Sequence, residues 1–196
     1  MKNYLAFLFC LSILFACTSS PDTNSEAPEQ QTSKTFEIQQ QEDQITIHLK
    51  GEQKALVTQV AKADHRPYLH PILAPNSNVE LTQYSPGHHK HQTGVYWGFT
   101  RVNGTGASED ELKKWFYNRS KPDDIKKKIG RDYFHFPEGT HWKKASANVM
   151  IADGEKVRWR TVYHMLDANG SALLEETQVW SFSESDNKHL LELEWK

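Results

Sequence analysis

Apolar and polar residues alternate with a period of two along four stretches of the chain. Such alternation, rich in β-branched and aromatic residues, is typical of antiparallel strands with one buried face. The alternating stretches are 45–49, 157–165, 174–182 and 191–195. Two polar segments, 167–170 and 185–187, separate the last three stretches and have the composition of hairpin turns. The C-terminal third is therefore predicted to be a three-strand meander.

One segment breaks the alternation. Ser108 and Glu111 stand at the spacing of a capping box, and apolar residues follow them at helical intervals. A second short helix is predicted to begin near Pro122 and to end at Gly130, since glycine favours the position after a helix. The sequence thus predicts a short helical insertion near 108–130.

These patterns predict an all-β fold, an antiparallel β-sandwich-like domain with that single helical insertion. The last predicted strand ends one residue before Lys196, which would leave an open sheet edge. Sheet proteins normally pair or cover such an edge. Three explanations stay open: an earlier strand covers the edge, a partner completes the domain, or the chain is a truncated member with an incomplete sandwich.

The N-terminus has the pattern of an export signal. Lys2 precedes a nearly all-apolar stretch, 4–15, which is too short to span a bilayer as a stable helix and fits a signal-peptide core. The stretch ends in Leu-Phe-Ala-Cys, which resembles the lipobox of bacterial lipoproteins and implies cleavage and lipidation at Cys17. The alternative is an ordinary cleaved signal peptide with an incidental cysteine.

We therefore expect three parts: a lipoprotein signal peptide at 1–17, a flexible tether at 18–35 and a folded domain at 36–196. Such a protein would be lipid-anchored in the bacterial cell envelope, facing the periplasm or the cell surface, with the membrane as a partner. Cys10 lies inside the predicted signal peptide, so the predicted domain has no thiol for a disulfide or a thiolate site.

Composition and motifs exclude several classes of function. The chain has 23 Lys and Arg against 25 Asp and Glu, so no basic surplus is present to bind nucleic acid. The nucleophile elbow, the P-loop and the dinucleotide-binding glycine motif are absent from the sequence. The unusual feature is the presence of ten histidines, half of which lie between His65 and His91.

Three histidine-rich phrases carry a resemblance to a known family. They are HRPYLHPILAP at 65–75, SPGHHKHQTGVYWGFTRVNG at 85–104 and GRDYFHFPEGTHW at 130–142. The phrases resemble the bacterial PmoA-like family, a family of unknown function that carries the label "methane oxygenase PmoA", and the similarity covers roughly 58–195. The resemblance implies an all-β sandwich-like domain in an extracytoplasmic protein. Members of that family usually continue past the position of Lys196 with further strands, and this sequence departs from them there.

The family label does not suit this sequence. A membrane methane monooxygenase crosses the bilayer many times, whereas no apolar run of spanning length follows the predicted signal peptide. A copper oxygenase of the histidine-brace type needs a free N-terminal histidine, whereas the predicted mature terminus is lipidated Cys17. Methane oxidation is therefore not expected.

The histidines suit three kinds of environment. As a metal site, they would offer Zn²⁺ or Cu²⁺ the imidazoles of His89 and His91 on one strand face and a third from His70. The candidate metal ligands are His88, His89 and His91. As an acid/base site, they would work with an acidic residue that orients a histidine or acts itself. The candidate catalytic residues are His70, His89, His91, Asp132 and Glu138. The third environment is structural, with imidazoles packed between aromatic rings and bonded to backbone carbonyls.

Residues suited to carbohydrate surround the histidines, because they offer rings for stacking, hydroxyls and guanidinium groups. The candidate substrate-binding residues are Arg66, Tyr68, Trp97, Asn103, Arg131, Tyr133, His135 and Trp142. Three functional hypotheses follow. The first is a lipid-anchored epimerase, lyase or hydrolase of carbohydrate. The second is a non-catalytic glycan-binding or envelope structural lipoprotein, and the third is a histidine-ligated metal protein.

Overall fold

The computed structural model describes residues 33–196 with the exception of 105, 107, 112 and 114–127. The predicted signal peptide, Cys17 and most of the predicted tether lie outside the described residues. So does most of the helix predicted to begin near Pro122. Among the described residues, no helix has the length and apolar character that crossing a bilayer requires.

Two antiparallel sheets make up the described part of the chain. Their strands are β1 (Phe36–Gln40), β2 (Gln44–Leu49), β3 (Ala55–Val60), β4 (Tyr68–Ile72), β5 (Trp142–Ile151), β6 (Asp153–Gly154), β7 (Lys156–Leu166), β8 (Ala172–Ser185) and β9 (Lys188–Trp195). One sheet has the order β4-β3-β2-β1-β6, and the other has the order β5-β7-β8-β9. A single turn of 3-10 helix, Gly139–His141, leads into β5.

The core lies between the two sheets, where side chains from alternate strand positions meet. Ile45 and Ile47 of β2 and Val57 of β3 face Trp159 of β7 and Phe182 of β8, and all five are fully buried. Burial of large apolar side chains is the main favourable term in folding. The predicted all-β, sandwich-like fold is therefore confirmed. The alternation marks the inward positions of β2 and β7 correctly, whereas Leu174 and Trp195 at the ends of their stretches are partly exposed.

The C-terminal meander is confirmed in order and in its turns. β7 pairs with β8 through the predicted loop 167–170, and β8 pairs with β9 through the predicted turn 185–187. Asp186 and Asn187 have φ angles of 51° and 56°, as a two-residue hairpin turn of this twist requires. On its outer side, β9 has no paired strand among the described residues.

The predicted capping box is confirmed. The backbone N–H of Ser108 donates to Glu111 Oε2 at 2.8 Å, and the backbone N–H of Glu111 donates to Ser108 Oγ at 3.2 Å. Lys128 Nζ donates to Glu111 Oε1 at 2.6 Å, and with the Ser108 amide it lowers the pKa of Glu111 to about 2. Gly130 follows with a φ of 82°, in keeping with the predicted helix end.

In the connection between β4 and β5, the segment around Gly94 lies directly against β4. The N–H of Val95 donates to the carbonyl of Leu69, and Val95 accepts in return, each at 3.0 Å. Gly94 has a φ of 87°, and a Cβ at this position would lie 2.2 Å from the Leu69 carbonyl oxygen. Glycine is therefore required here by both conformation and space.

Replacing Gly94 with alanine tests this approach. Gly51 is a matched control, because its φ is 84° while nothing lies within 4 Å of the position that a Cβ would occupy. We expect Gly51→Ala to lower the free energy of unfolding by about 1 kcal/mol, the ordinary strain of a left-handed alanine. Gly94→Ala should lower it by clearly more, measured by urea denaturation. Equal losses in the two variants would contradict the close packing of this connection on β4.

Candidate functional site

The site is organised by Arg66, which is 1% exposed and lies in the loop between β3 and β4. Its Nη1 donates to the carbonyl of Phe134 at 2.6 Å, and its Nη2 donates to the carbonyl of His91 at 2.7 Å. Nη2 also donates to Thr93 Oγ1 at 3.2 Å. One rigid guanidinium therefore joins three segments that are far apart in sequence.

The charge of Arg66 is stabilised from several sides. Its guanidinium carbon lies 3.5 Å from the centre of the Tyr96 ring, an arrangement in which the ring face attracts a cation. Burial lowers the pKa of Arg66 to about 10, and Tyr96 and the acidic side chains of Glu176 and Asp132 oppose that shift. Arg66 consequently remains a cation at neutral pH.

Asp132 and His135 form an acid–imidazole pair. The buried carboxylate of Asp132 accepts the backbone N–H groups of Phe134 and His135 at 3.1 and 2.9 Å through Oδ1. Its Oδ2 lies 2.9 Å from Nδ1 of His135. A carboxylate at this distance holds the proton on Nδ1 and so places the basic lone pair of the neutral ring on Nε2. The pair has the geometry of an oriented general base.

The imidazole of His135 is one end of a row of four imidazoles, which His91, His89 and His88 continue. The ring centres of His91 and His135 are 4.7 Å apart, those of His89 and His91 are 5.8 Å apart, and those of His88 and His89 are 4.0 Å apart. We call these four residues the histidine row. Partial burial lowers the pKa of His91, and the neighbouring imidazoles of His135 and His89 lower it further. His91 is thus kept neutral beside the oriented His135.

Two predicted catalytic residues contact other groups. His70 of β4 bonds through Nδ1 to Thr82 Oγ1 at 2.9 Å and packs on Tyr84 at 5.7 Å between ring centres. Glu138 is exposed, and its Oε1 lies 4.0 Å from Nε2 of the buried His65. The contacts described for His70 and Glu138 are therefore made with residues outside the histidine row.

Several predicted substrate-binding residues are parts of the scaffold beneath the row. Tyr133 and Trp142 are fully buried with Tyr163 and Met165 in a second core cluster. The Tyr133 hydroxyl donates to the carbonyl of Leu166 at 2.8 Å, to which Arg131 Nε also donates at 3.1 Å. These polar atoms therefore hold the loop 130–142 against the end of β7.

Tyr68 and Asn103 also have structural surroundings. Tyr68 is buried against Tyr84 and His65, at 5.9 and 5.2 Å between ring centres, and burial raises its pKa to about 12. Asn103 has a φ of 55° and lies in a turn, a conformation that asparagine tolerates better than most residues.

A buried acid that sequence reasoning missed lies on β8. Glu176 is 2% exposed and accepts the Nε1–H of Trp97 at 3.0 Å and a hydrogen bond from Gln178. Trp195 also donates to it, and burial raises the pKa of Glu176 against the effect of these donors. The sequence does contain an indication of this buried acid. Glu176 and Gln178 are polar residues at positions that the alternation places on the inward face of the strand. The predicted sugar platform Trp97 is thereby tied to an interior carboxylate.

Metal ligands do not converge in the described residues: no three His, Cys, Asp or Glu side chains there are placed so as to hold one ion. This includes the predicted set of His88, His89 and His91. The contacts within the histidine row are ring against ring, whereas tetrahedral Zn²⁺ would need nitrogens directed at one point about 2 Å away.

Comparison with known families places the domain. A family model described as "Family of unknown function (DUF6807)" matches residues 35–196. The chain belongs to this family. The match begins beside the first residue of β1 and covers every element of both sheets, so the DUF6807 domain and the folded part coincide. No curated protein and no solved structure matches the chain.

Arg66→Lys tests whether the guanidinium organises this DUF6807 site. A lysine has no planar fork, so it cannot serve the carbonyls of His91 and Phe134 together. We expect a loss of at least about 2 kcal/mol in the free energy of unfolding, because a buried carbonyl loses its donor. Arg160→Lys, at an exposed position on β7, is the control and should stay within about 0.5 kcal/mol. A near-neutral Arg66→Lys would contradict the assignment.

The surroundings of His91 in the histidine row predict the direction in which its pKa is shifted. His91 should take up its proton at a pH below the ordinary value of 6.5, followed by NMR of its ring hydrogens. His135→Asn should raise this midpoint, because the variant removes a neighbouring imidazole that disfavours the charged form. His164→Asn, at a histidine paired with Glu175 on β7 and β8, should leave the midpoint unchanged. A midpoint at or above 6.5 in the unmodified protein would contradict the described surroundings of His91.

Proposed function

We propose that this DUF6807 domain acts on carbohydrate by acid/base chemistry at the histidine row, from a lipid anchor at Cys17 in the bacterial cell envelope. The observation that supports it is the 2.9 Å contact between Asp132 Oδ2 and His135 Nδ1. A buried carboxylate that orients an imidazole is a common device for making a general base.

The proposed chemistry assigns proton transfer to one imidazole and hydrogen bonding to another. His135 takes a proton from the substrate at Nε2, and Asp132 stabilises the imidazolium that forms. The neutral His91, 4.7 Å away between ring centres, donates a hydrogen bond to a neighbouring substrate oxygen, and the imidazolium of His135 then returns its proton to the product. Epimerisation, elimination and hydrolysis of sugars each need one step that removes a proton and one that returns it.

Aromatic rings around the row support a sugar as the substrate. Phe134 contacts both His91 and His135, at 5.5 and 5.0 Å between ring centres. Phe136 is 46% exposed and stacks on His141 with an interplanar angle of 13°. Apolar ring faces beside imidazoles suit a pyranose, whose C–H face packs on rings while its hydroxyls form hydrogen bonds.

The proposed location depends on the sequence. The Leu-Phe-Ala-Cys lipobox supports anchoring at Cys17, and the polar residues at 18–35 would carry the domain away from the bilayer. The resemblance of the histidine-rich phrases to the extracytoplasmic PmoA-like proteins also supports a location outside the cytoplasm.

A second candidate function, glycan binding without chemistry, is favoured by a separate pair of rings. Phe99 is 40% exposed and Trp195 is 44% exposed, and their ring centres are 5.6 Å apart. Large exposed aromatic side chains that contact one another often mark a binding surface. This pair would hold a glycan on the protein surface.

The test is conversion of an oligosaccharide panel by the full chain in D₂O, followed by ¹H NMR. New reducing ends report hydrolysis, vinyl protons report elimination, and loss of a ring-proton signal reports epimerisation. We expect conversion of at least one glycan, and a rate about 10²- to 10⁴-fold lower in His135→Asn and Asp132→Asn. The amide introduced by Asp132→Asn retains an oxygen for the two backbone N–H groups, so this variant should remain folded.

The matched control is His164→Asn, because His164 forms an exposed pair with Glu175 at 3.2 Å. It should retain the full rate. Binding without conversion, weakened by Trp195→Ala and unaffected by His135→Asn, would reject the enzyme in favour of the second candidate. Neither binding nor conversion of any glycan would reject both.

A further inference from the structure

A cavity of about 430 Å³ opens at the end of the sandwich remote from Arg66. Its apolar wall comes from Phe36, Leu49 and Leu56, at the start of β1, the end of β2 and the start of β3. β3 runs from this wall toward the loop that carries Arg66, a length of about 20 Å. The cavity volume lies within the range of about 300–1,000 Å³ that is usual for small-molecule sites.

A second part of the cavity lining contains a buried acid–imidazole pair. Glu184 of β8 accepts a hydrogen bond from Lys34 Nζ at 2.5 Å, and its Oε2 lies 3.3 Å from Nε2 of His189 on β9. His189 Nδ1 lies 3.1 Å from the carbonyl of Leu73, which only accepts, so Nδ1 carries a hydrogen. Burial lowers the pKa of His189 and so favours its neutral ring, and this part of the lining presents a carboxylate beside an imidazole.

The rim is a turn of small polar side chains. Lys34 Nζ donates to Asn76 Oδ1 at 2.8 Å, and Lys54 Nζ donates to Asn78 Oδ1 and, at 3.1 Å, to the carbonyl of Ser77. Both lysines are therefore held by protein oxygens. The amide nitrogen of Asn76 also donates to Asn187 Oδ1 at 3.4 Å, and its second N–H and the amide of Asn78 are additional donors among the lining residues.

The charges of the lining residues balance. Lys34 and Lys54 oppose Glu52 and Glu184, so the cavity has no net attraction for an anion or a cation. The lining thus combines apolar side chains with paired donors and acceptors around a space of ligand size. This combination fits a neutral molecule with a C–H face on one side and several hydroxyls on the other.

We propose that this cavity is a binding site for a neutral sugar ring or a similar polyol. The ring would pack on Leu49, Leu56 and Phe36, and its hydroxyls would bond to Glu184 and the Asn76–Asn78 rim. The site shares no residue with the histidine row, so it does not depend on the proposed function and would exist in an inactive protein.

The experiment is saturation-transfer NMR, with calorimetry, on the full chain and a panel of methyl pyranosides with their matching uronic acids. At least one neutral pyranoside should bind. Glu184→Gln replaces the carboxylate with a neutral amide of similar size and so removes one acceptor oxygen. Leu56→Trp fills the cavity from its apolar wall. Each should weaken binding at least tenfold while thermal unfolding shows that the variant is folded.

Two controls separate this site from its surroundings. Glu192→Gln removes an acid from the same hairpin at an exposed pair with Lys156, and it should leave binding unchanged. Asp132→Asn, at the histidine row, should also leave it unchanged. Binding that survives both cavity variants, binding of the uronic acids alone, or saturation transfer to none of the panel would overturn the proposal.

Discussion

The arrangement of this domain depends on burying one guanidinium group. Arg66 cannot discard its charge at neutral pH, so its N–H groups must find oxygen acceptors inside the protein. Nη1 and Nη2 find them on the backbones of Phe134 and His91, in the two segments that carry the histidine row, while the buried Nε has no hydrogen-bond partner among the residues that the structure describes. The positions of the imidazoles are thus a consequence of satisfying a buried cation, with Tyr96 and Glu176 supplying the remaining stabilisation.

The two ends of the sandwich apply the same chemistry in different surroundings. At one end, Asp132 orients His135 in a loop whose side chains remain partly exposed. At the other, Glu184 and His189 are almost completely buried and face a cavity that Lys34 helps to close. In the first pair the carboxylate is buried while the His135 ring remains partly exposed, so solvent can reach the imidazole. In the second pair both side chains are shielded from water, and the lower local dielectric strengthens their electrostatic contact.

The elements that could be predicted from the sequence are those determined by local patterns. The meander, its two turns and the Ser108–Glu111 capping box depend on residues close in sequence, and alternation or spacing reveals them. β4 was missed because Tyr68–Ile72 contains a proline, which an edge strand tolerates. β5 was missed because its lysines and small residues hide the period of two. The candidate site was harder to predict from the sequence. The three histidine-rich phrases identify its segments, but packing between residues far apart in sequence determines that Tyr133 and Trp142 are buried.

The length and continuity of β8 connect features that the chain otherwise keeps apart. Glu176, Gln178, Trp180, Phe182 and Glu184 occupy every second position of this strand and point to one side of the sheet. A pairing error of a single residue between β7 and β8 would turn both carboxylates outward together and bury their neighbours instead. The register of β7 against β8 therefore determines, for both ends of β8, whether the carboxylate lies inside the protein.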